Sequence, residues 1–126
     1  MPTIIKSPSI IEAAGNKPKI IQEYFGRVNS KTFEVSIAKM TSLQGWIEPG
    51  QKPEFDEYTV VLKGTLQVKT EKETIDVKAG IAILTKKREW IQYSTPFEGG
   101  AEYIAVCLPA FSPETVNRDS WIKRQR

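Results

Sequence analysis

Gly45-Trp-Ile-Glu-Pro-Gly-Gln51-Lys-Pro53-Glu-Phe-Asp-Glu57-Tyr-Thr-Val-Val-Leu-Lys-Gly64 is the stretch that decides the fold of this 126-residue chain. Its front half is a loop by composition, rich in proline, glycine and acidic residues. Its back half opens a run, 57–68, that is dense in β-branched residues and broken only by Gly64, the makeup of a strand. Alternate residues of a strand share a face, so Glu57 points with Thr59 and Val61 while Tyr58 points away.

Outward from this stretch, strand-like runs follow one another with turn signals between them. The run 19–25 ends at Gly26, and Asn29-Ser30 marks a turn. In 32–40 the apolar Phe33, Val35 and Ile37 alternate with Glu34, Ser36 and Ala38, a period of two. Runs at 74–77, 81–85, 89–93 and 101–108 complete the series, and Glu98-Gly99-Gly100 suits a tight hairpin connection. About seven or eight short strands are what a sandwich or barrel uses. Only 9–14 and 112–121 read as helical, the latter because Ser112-Pro113 resembles an N-cap followed by proline at the first helical position. The class is all-β.

Bulk composition narrows the function. The chain is 40% hydrophobic and 26% charged, with a net charge of +3, and its length is that of one domain. No apolar run approaches the roughly 20 residues that cross a bilayer, and Met1 to Lys6 lack the layout of a signal peptide. A single cysteine, Cys107, forms no internal disulfide, so the expected location is cytoplasmic, without a membrane. The basic residues Arg118, Lys123, Arg124 and Arg126 gather near the end of the chain and read as a solvated terminus. Nucleic acid binding would want a larger basic face interleaved with aromatics, and no nucleic-acid partner is expected.

With its spacing written out, the opening stretch is G-x5-Q-x-P-x3-E-x6-G, and it resembles the first motif of the cupin superfamily, G-x5-H-x-H-x3,4-E-x6-G. The resemblance spans roughly 32–108 and implies a double-stranded β-helix, the RmlC-like jelly-roll barrel. Residues 1–31 then form an N-terminal arm and 109–126 a short C-terminal helix or tail, all within one domain, 1–126. Lys78-Ala79-Gly80 opens a weaker match to the second motif, G-x5-P-x-G-x2-H-x3-N. There the histidine position falls on Ile91, or on Trp90 in a register one residue shorter, with Gln92 on the same face as Trp90. The whole is also similar to small single-domain bacterial cupins carrying E-P-G-Q-x-P-E-F-D-E-Y. That group is typically homodimeric, with the N-terminal segment adding to the partner's sheet. An arm containing Ile4-Ile5, Ile10-Ile11 and Ile20-Ile21 is more apolar than one small barrel requires, which also points to a homodimer.

In the resemblance, two histidines and the glutamate hold a divalent metal. This chain has no histidine at all, and Gln51 and Pro53 stand in the ligand positions. No metal and no cofactor are therefore expected, although Glu54, Asp56 and Glu57 are oxygen donors that suit Mg or Ca. Cys-His and Ser-His-Asp nucleophiles are excluded by the same absence. A barrel-facing Glu57 either pairs with Gln51, Tyr103 or Gln92 for structure alone, or acts as a general base or ligand grip. Lys86-Lys87-Arg88 is either a solvated turn or an anion-attracting collar. Trp46 and Trp90 either fill the cavity or wall a planar ligand, and Trp121 anchors the C-terminal segment.

The expected function is binding of a small organic ligand in a metal-free barrel. Trp46, Gln51, Glu57, Lys87, Arg88, Trp90 and Gln92 are the candidate binding residues. Alternatives are an isomerase, epimerase or lyase using Glu57 with a tyrosine (Tyr103, Tyr93 or Tyr58), and an oxygen-ligated metal enzyme.

Overall fold

The computed structural model describes residues 1–120, and the expected anchor Trp121 lies outside them. Among the described residues there are nine strands and no helix: β1 (Ser9–Ile11), β2 (Lys19–Phe25), β3 (Ser36–Ser42), β4 (Trp46–Ile47), β5 (Asp56–Thr70), β6 (Thr74–Lys78), β7 (Ala82–Thr85), β8 (Ile91–Thr95) and β9 (Ala101–Leu108). Every pairing between them is antiparallel. The hydrogen-bonded path runs β1-β2-β3-β9-β5-β8-β4, with β6 and β7 also on β5. It is a curled jelly-roll sheet.

The curl is made by β5. Its first half pairs with β9 and β7, and its second half pairs with β6 and β8. Between the halves the register slips from Val61 to Lys63 and Gly64 adopts φ +72°. A side chain at Gly64 would run into the Gly100 carbonyl oxygen, so only glycine permits both the left-handed backbone and the close approach. The slip also changes which residues face inward. Thr59 and Val61 are buried before it, and Leu66 and Val68 after it, while Tyr58, Val60 and Leu62 are exposed. The inward pairing of Glu57 with Thr59 and Val61 read from the sequence holds.

Several expectations need correction. Residues 9–11 are strand rather than helix, and β1 pairs with β2 of its own chain. The 112–121 helix does not form within the described residues. Ser112 starts a single turn, with its hydroxyl accepting from the Glu114 amide at 3.2 Å and its carbonyl from the Thr115 amide at 3.1 Å. The chain then runs extended, because Arg118 pairs backbone-to-backbone with Gln51. In β3 the inward face is Ser36, Ala38 and Met40, while Phe33 before it is exposed. The expected apolar face therefore points outward, and the chamber wall takes Ser36 with the apolar Ala38 and Met40. Finally, Glu98-Gly99-Gly100 does not join hairpin neighbours: β8 lies on β4 and β5, and β9 on β3 and β5.

Two apolar clusters fill the barrel. The larger contains Trp46, Val61, Leu66, Val68, Val77, Ile91, Tyr93 and Tyr103, and the smaller contains Phe55, Cys107 and Val116 with Phe111 against them. Members of both line one internal chamber.

Candidate functional site

The chamber is a cavity of about 60 Å³. Strand alternation builds its walls: Lys19, Ile21 and Glu23 from β2, Ser36, Ala38 and Met40 from β3, and Tyr103, Ala105 and Cys107 from β9. Glu57 enters from the start of β5 and Tyr93 from β8, while Glu48 and Gln51 come from the motif loop and Arg118 from the tail.

Five charged side chains line the chamber, Lys19, Glu23, Glu48, Glu57 and Arg118, with little water to screen them. Arg118 Nη2 lies 3.7 Å from Glu48 Oε2. Lys19 Nζ sits 3.9 Å from the centre of the Trp46 ring and 5.3 Å from that of Tyr103, a cation–π arrangement. Burial would lower the Lys19 pKa, but Tyr103, Glu48 and Glu57 outweigh it and hold the ammonium charged more firmly than usual. Glu48 is pushed up by burial, against the pull of Lys19 and Arg118. Glu57 is pushed up to about 7, first by burial and then by the Glu48 carboxylate, with Lys19, the Tyr93 hydroxyl and Arg118 opposing. This carboxyl titrates at neutral pH.

The remaining polar groups are mostly tied to structure. Tyr93 and Thr85 share a hydroxyl hydrogen bond of 2.9 Å, and Tyr103 and Ser42 one of 3.1 Å. Burial and the Glu57 charge push the Tyr93 phenol well above its ordinary value. Cys107 is pushed up for the same two reasons, which keeps it a thiol rather than a nucleophile. Two buried atoms in the lining differ from these. Gln51 Oε1 and Arg118 Nε have no hydrogen-bond partner among the described residues.

Of the residues singled out by sequence, Gln51, Glu57 and Tyr103 line the cavity. The others are placed elsewhere. Trp46 is fully buried behind Lys19, and its indole donates to the Ala14 carbonyl at 2.9 Å, pinning the arm. Trp90 packs its ring on Gly50 and donates to Asp119 Oδ2 at 2.8 Å. Gln92 donates to the Glu48 carbonyl at 2.9 Å and so braces the loop from behind. Lys87 and Arg88 are exposed and do not reach the cavity as a collar. The Lys87 amide donates to Asp56 at 2.9 Å, and Arg88 pairs with Glu54 at 3.0 Å. Tyr58 is exposed, as its strand face requires.

Sequence reasoning missed Lys19, Glu48 and Arg118. Lys19 lies in the arm, outside the motif, and reaches the cavity only because β2 turns Ile20 outward. Arg118 was hidden in a segment read as helix.

The divalent metal implied by the motif does not fit these residues. Among the described residues no three of His, Cys, Asp and Glu converge on a point that could hold an ion. The positive charge facing Glu48 and Glu57 is supplied by the Lys19 ammonium and the Arg118 guanidinium, which would repel a metal cation.

No protein-family profile matches the chain. Solved structures resemble it closely in shape and weakly in sequence. The polyketide cyclase RemF from Streptomyces resistomycificus superimposes with a TM-score of 0.71 at 16% identity, covering 93% of this chain and 84% of that one. A predicted oxalate decarboxylase from Thermotoga maritima gives a TM-score of 0.70 at 17% identity, covering 85% and 99%. The Clostridium difficile EutQ protein gives 0.62 at 23%, covering 73% and 63%. The chain has the cupin fold. Such varied neighbours establish the cupin architecture and no particular activity. In sequence, 102 residues, or 81% of the chain, are 35% identical to the Myxococcus xanthus protein named endoribonuclease YbeY. That match spans 35% of the relative, so the chain corresponds to about a third of its length.

Proposed function

We propose that this cupin binds a small polar organic molecule in its barrel, in the cytoplasm and without a tightly bound transition metal. The convergence of Lys19, Arg118, Glu48 and Glu57 on one chamber carries the reading. Four charged groups brought in from separate segments are costly to bury unless the site gives them a partner or a task. A thermal-unfolding screen of sugars, amino acids and organic acids tests it. At least one compound raises the midpoint by several degrees, and a panel that leaves it unmoved overturns the reading. A transition metal found at one equivalent in the purified protein would overturn the metal-free part.

An isomerase or lyase reading is favoured by one observation, the Glu57 carboxyl beside Tyr93 with its pKa brought to about 7, where a general base works best. Turnover of a bound compound, followed by NMR and lost in Glu57→Gln, would establish it. RNA cleavage, the activity named for the Myxococcus xanthus relative, has less support. The match to that relative spans only 35% of its length.

We also propose a homodimer, with the outer sheet face as its interface. Tyr58 lies between Leu84 and Val106, and Val60 between Ala82 and Ile104, across adjacent strands. Tyr58, Val60, Leu62 and Leu84 are all exposed. A contiguous apolar face of this kind suits a second copy of itself.

A further inference from the structure

We infer that the ligand is a small monocarboxylate of about four to six heavy atoms, carrying a hydrogen-bond donor beside its carboxylate, and that it enters together with a proton held by Glu57. This rests on the cavity being a binding site, and it names what the cavity selects.

Size comes first. A water needs roughly 10–15 Å³ measured in this way, so about 60 Å³ admits a molecule of only a few heavy atoms.

The unpartnered atoms then set the functional groups. Gln51 Oε1 accepts and requires a donor, whereas Arg118 Nε donates and requires an acceptor. Both are buried, and an orphaned buried polar atom is costly. Gln51 and Arg118 face each other in an antiparallel bridge, and directly opposed residues of such a bridge project to the same side, about 5 Å apart at Cβ. The two atoms therefore address neighbouring groups of one small molecule. A carboxylate answers the guanidinium, and an adjacent hydroxyl answers the amide oxygen.

Charge sets the protonation state. The titratable and charged groups facing Glu57 across the chamber are Lys19, Glu23, Glu48, Tyr93, Tyr103, Cys107 and Arg118. Glu23 is committed to the backbone, its Oε2 accepting from the amides of Val28 at 3.1 Å and Asn29 at 2.7 Å. Tyr93 and Cys107 stay neutral, as their raised values require. Lys19 and Arg118 then face Glu48 and Glu57. With Glu23 counted, ionised Glu57 leaves the five charged groups one negative charge in excess, which repels an incoming anion. With Glu57 protonated the two cations balance Glu23 and Glu48, and a carboxylate can reach the Arg118 guanidinium without that repulsion. A cationic ligand would prefer the opposite state of Glu57.

Isothermal titration with glycolate, lactate, propionate and ethanolamine at pH 6 and pH 8 tests this. Glycolate or lactate should bind about tenfold more tightly than propionate, which lacks the hydroxyl. Affinity should fall about tenfold from pH 6 to pH 8 for a group titrating near 7, with proton uptake visible as a buffer-dependent heat. Gln51→Met should erase the preference for the hydroxy acid, and Glu57→Gln should abolish the pH slope. Should Gln51→Met fail to fold, Arg118→Lys keeps the charge but not the Nε donor, and should weaken every carboxylate about tenfold. Tighter binding of ethanolamine, affinity that rises with pH, or a hydroxyl preference that survives Gln51→Met would overturn the inference while leaving a binding cavity in place. If no compound in this set or the wider screen bound, the cavity reading itself would fall.

Discussion

The two halves of β5 belong to one continuous strand and put different chemistry into the interior. From Asp56 to Gly64 the strand contributes Glu57 to a chamber that holds two cations, two further carboxylates and two tyrosines. From Thr65 to Thr70 it contributes the fully buried Leu66 and Val68 to the larger apolar cluster, which Val61 of the first half joins and which meets the chamber at Tyr93 and Tyr103. The dry half gains its stability from burying apolar surface. The charged half gives some stability up by withdrawing charge from water. Gly64 and the register slip beside it separate the two, because they reverse the inward face of the strand.

Removing that separation should have the largest effect. Gly64→Val forces a β-branched residue into left-handed backbone against the Gly100 carbonyl. It should cost about 3 kcal/mol or more, read as loss of soluble protein or a collapsed unfolding midpoint. Leu66→Ala, in the dry half, should cost about 2–5 kcal/mol in denaturant titration, while the pH dependence of stability is unchanged.

The charged half should show the reverse behaviour. The Glu57 pKa rises from 4.5 unfolded to about 7 folded, so the native state holds more protons between those values. Stability is then full below pH 4.5 and is lost as pH rises through 7, by up to about 3 kcal/mol. Glu48, shifted in the same direction, adds to the same trend. Melting curves from pH 5 to pH 7.5 should therefore shift downward, and Glu57→Gln should flatten most of the slope. A wild-type midpoint that rose across this window would refute the placement of Glu57.

The smallest effect on folding should come from the outer face of the strand. Val60→Lys changes an exposed residue and should leave the unfolding of each subunit within about 0.5 kcal/mol. It should turn a dimer into a monomer in light scattering. A wild-type chain that is already monomeric at micromolar concentration would remove the dimer from consideration.

The sequence by itself determined the barrel. Gly45, Glu57, Gly64 and Gly80 lie at the spacing of a cupin motif, and the strand face of Glu57, Thr59 and Val61 follows from a period of two. It also determined which chemistry is absent, since a chain without histidine has no imidazole to offer a metal or a nucleophile. Gln51 is legible too, from its place in the motif, and Tyr103 is among the partners the sequence offers Glu57. Only the tertiary structure decided what shares the chamber with Glu57. Lys19, Glu48 and Arg118 are separated by long stretches of chain, and each reads locally as an ordinary surface charge. Their roles depend on β2 turning Ile20 outward and on the tail running back along Gln51. Strand periodicity fixes which residues share a face, but it does not say whether the space under that face is oil or a charged pocket. That is set by the packing of all the strands together, and here it turned Trp90, Lys87 and Arg88 away while bringing Lys19 in.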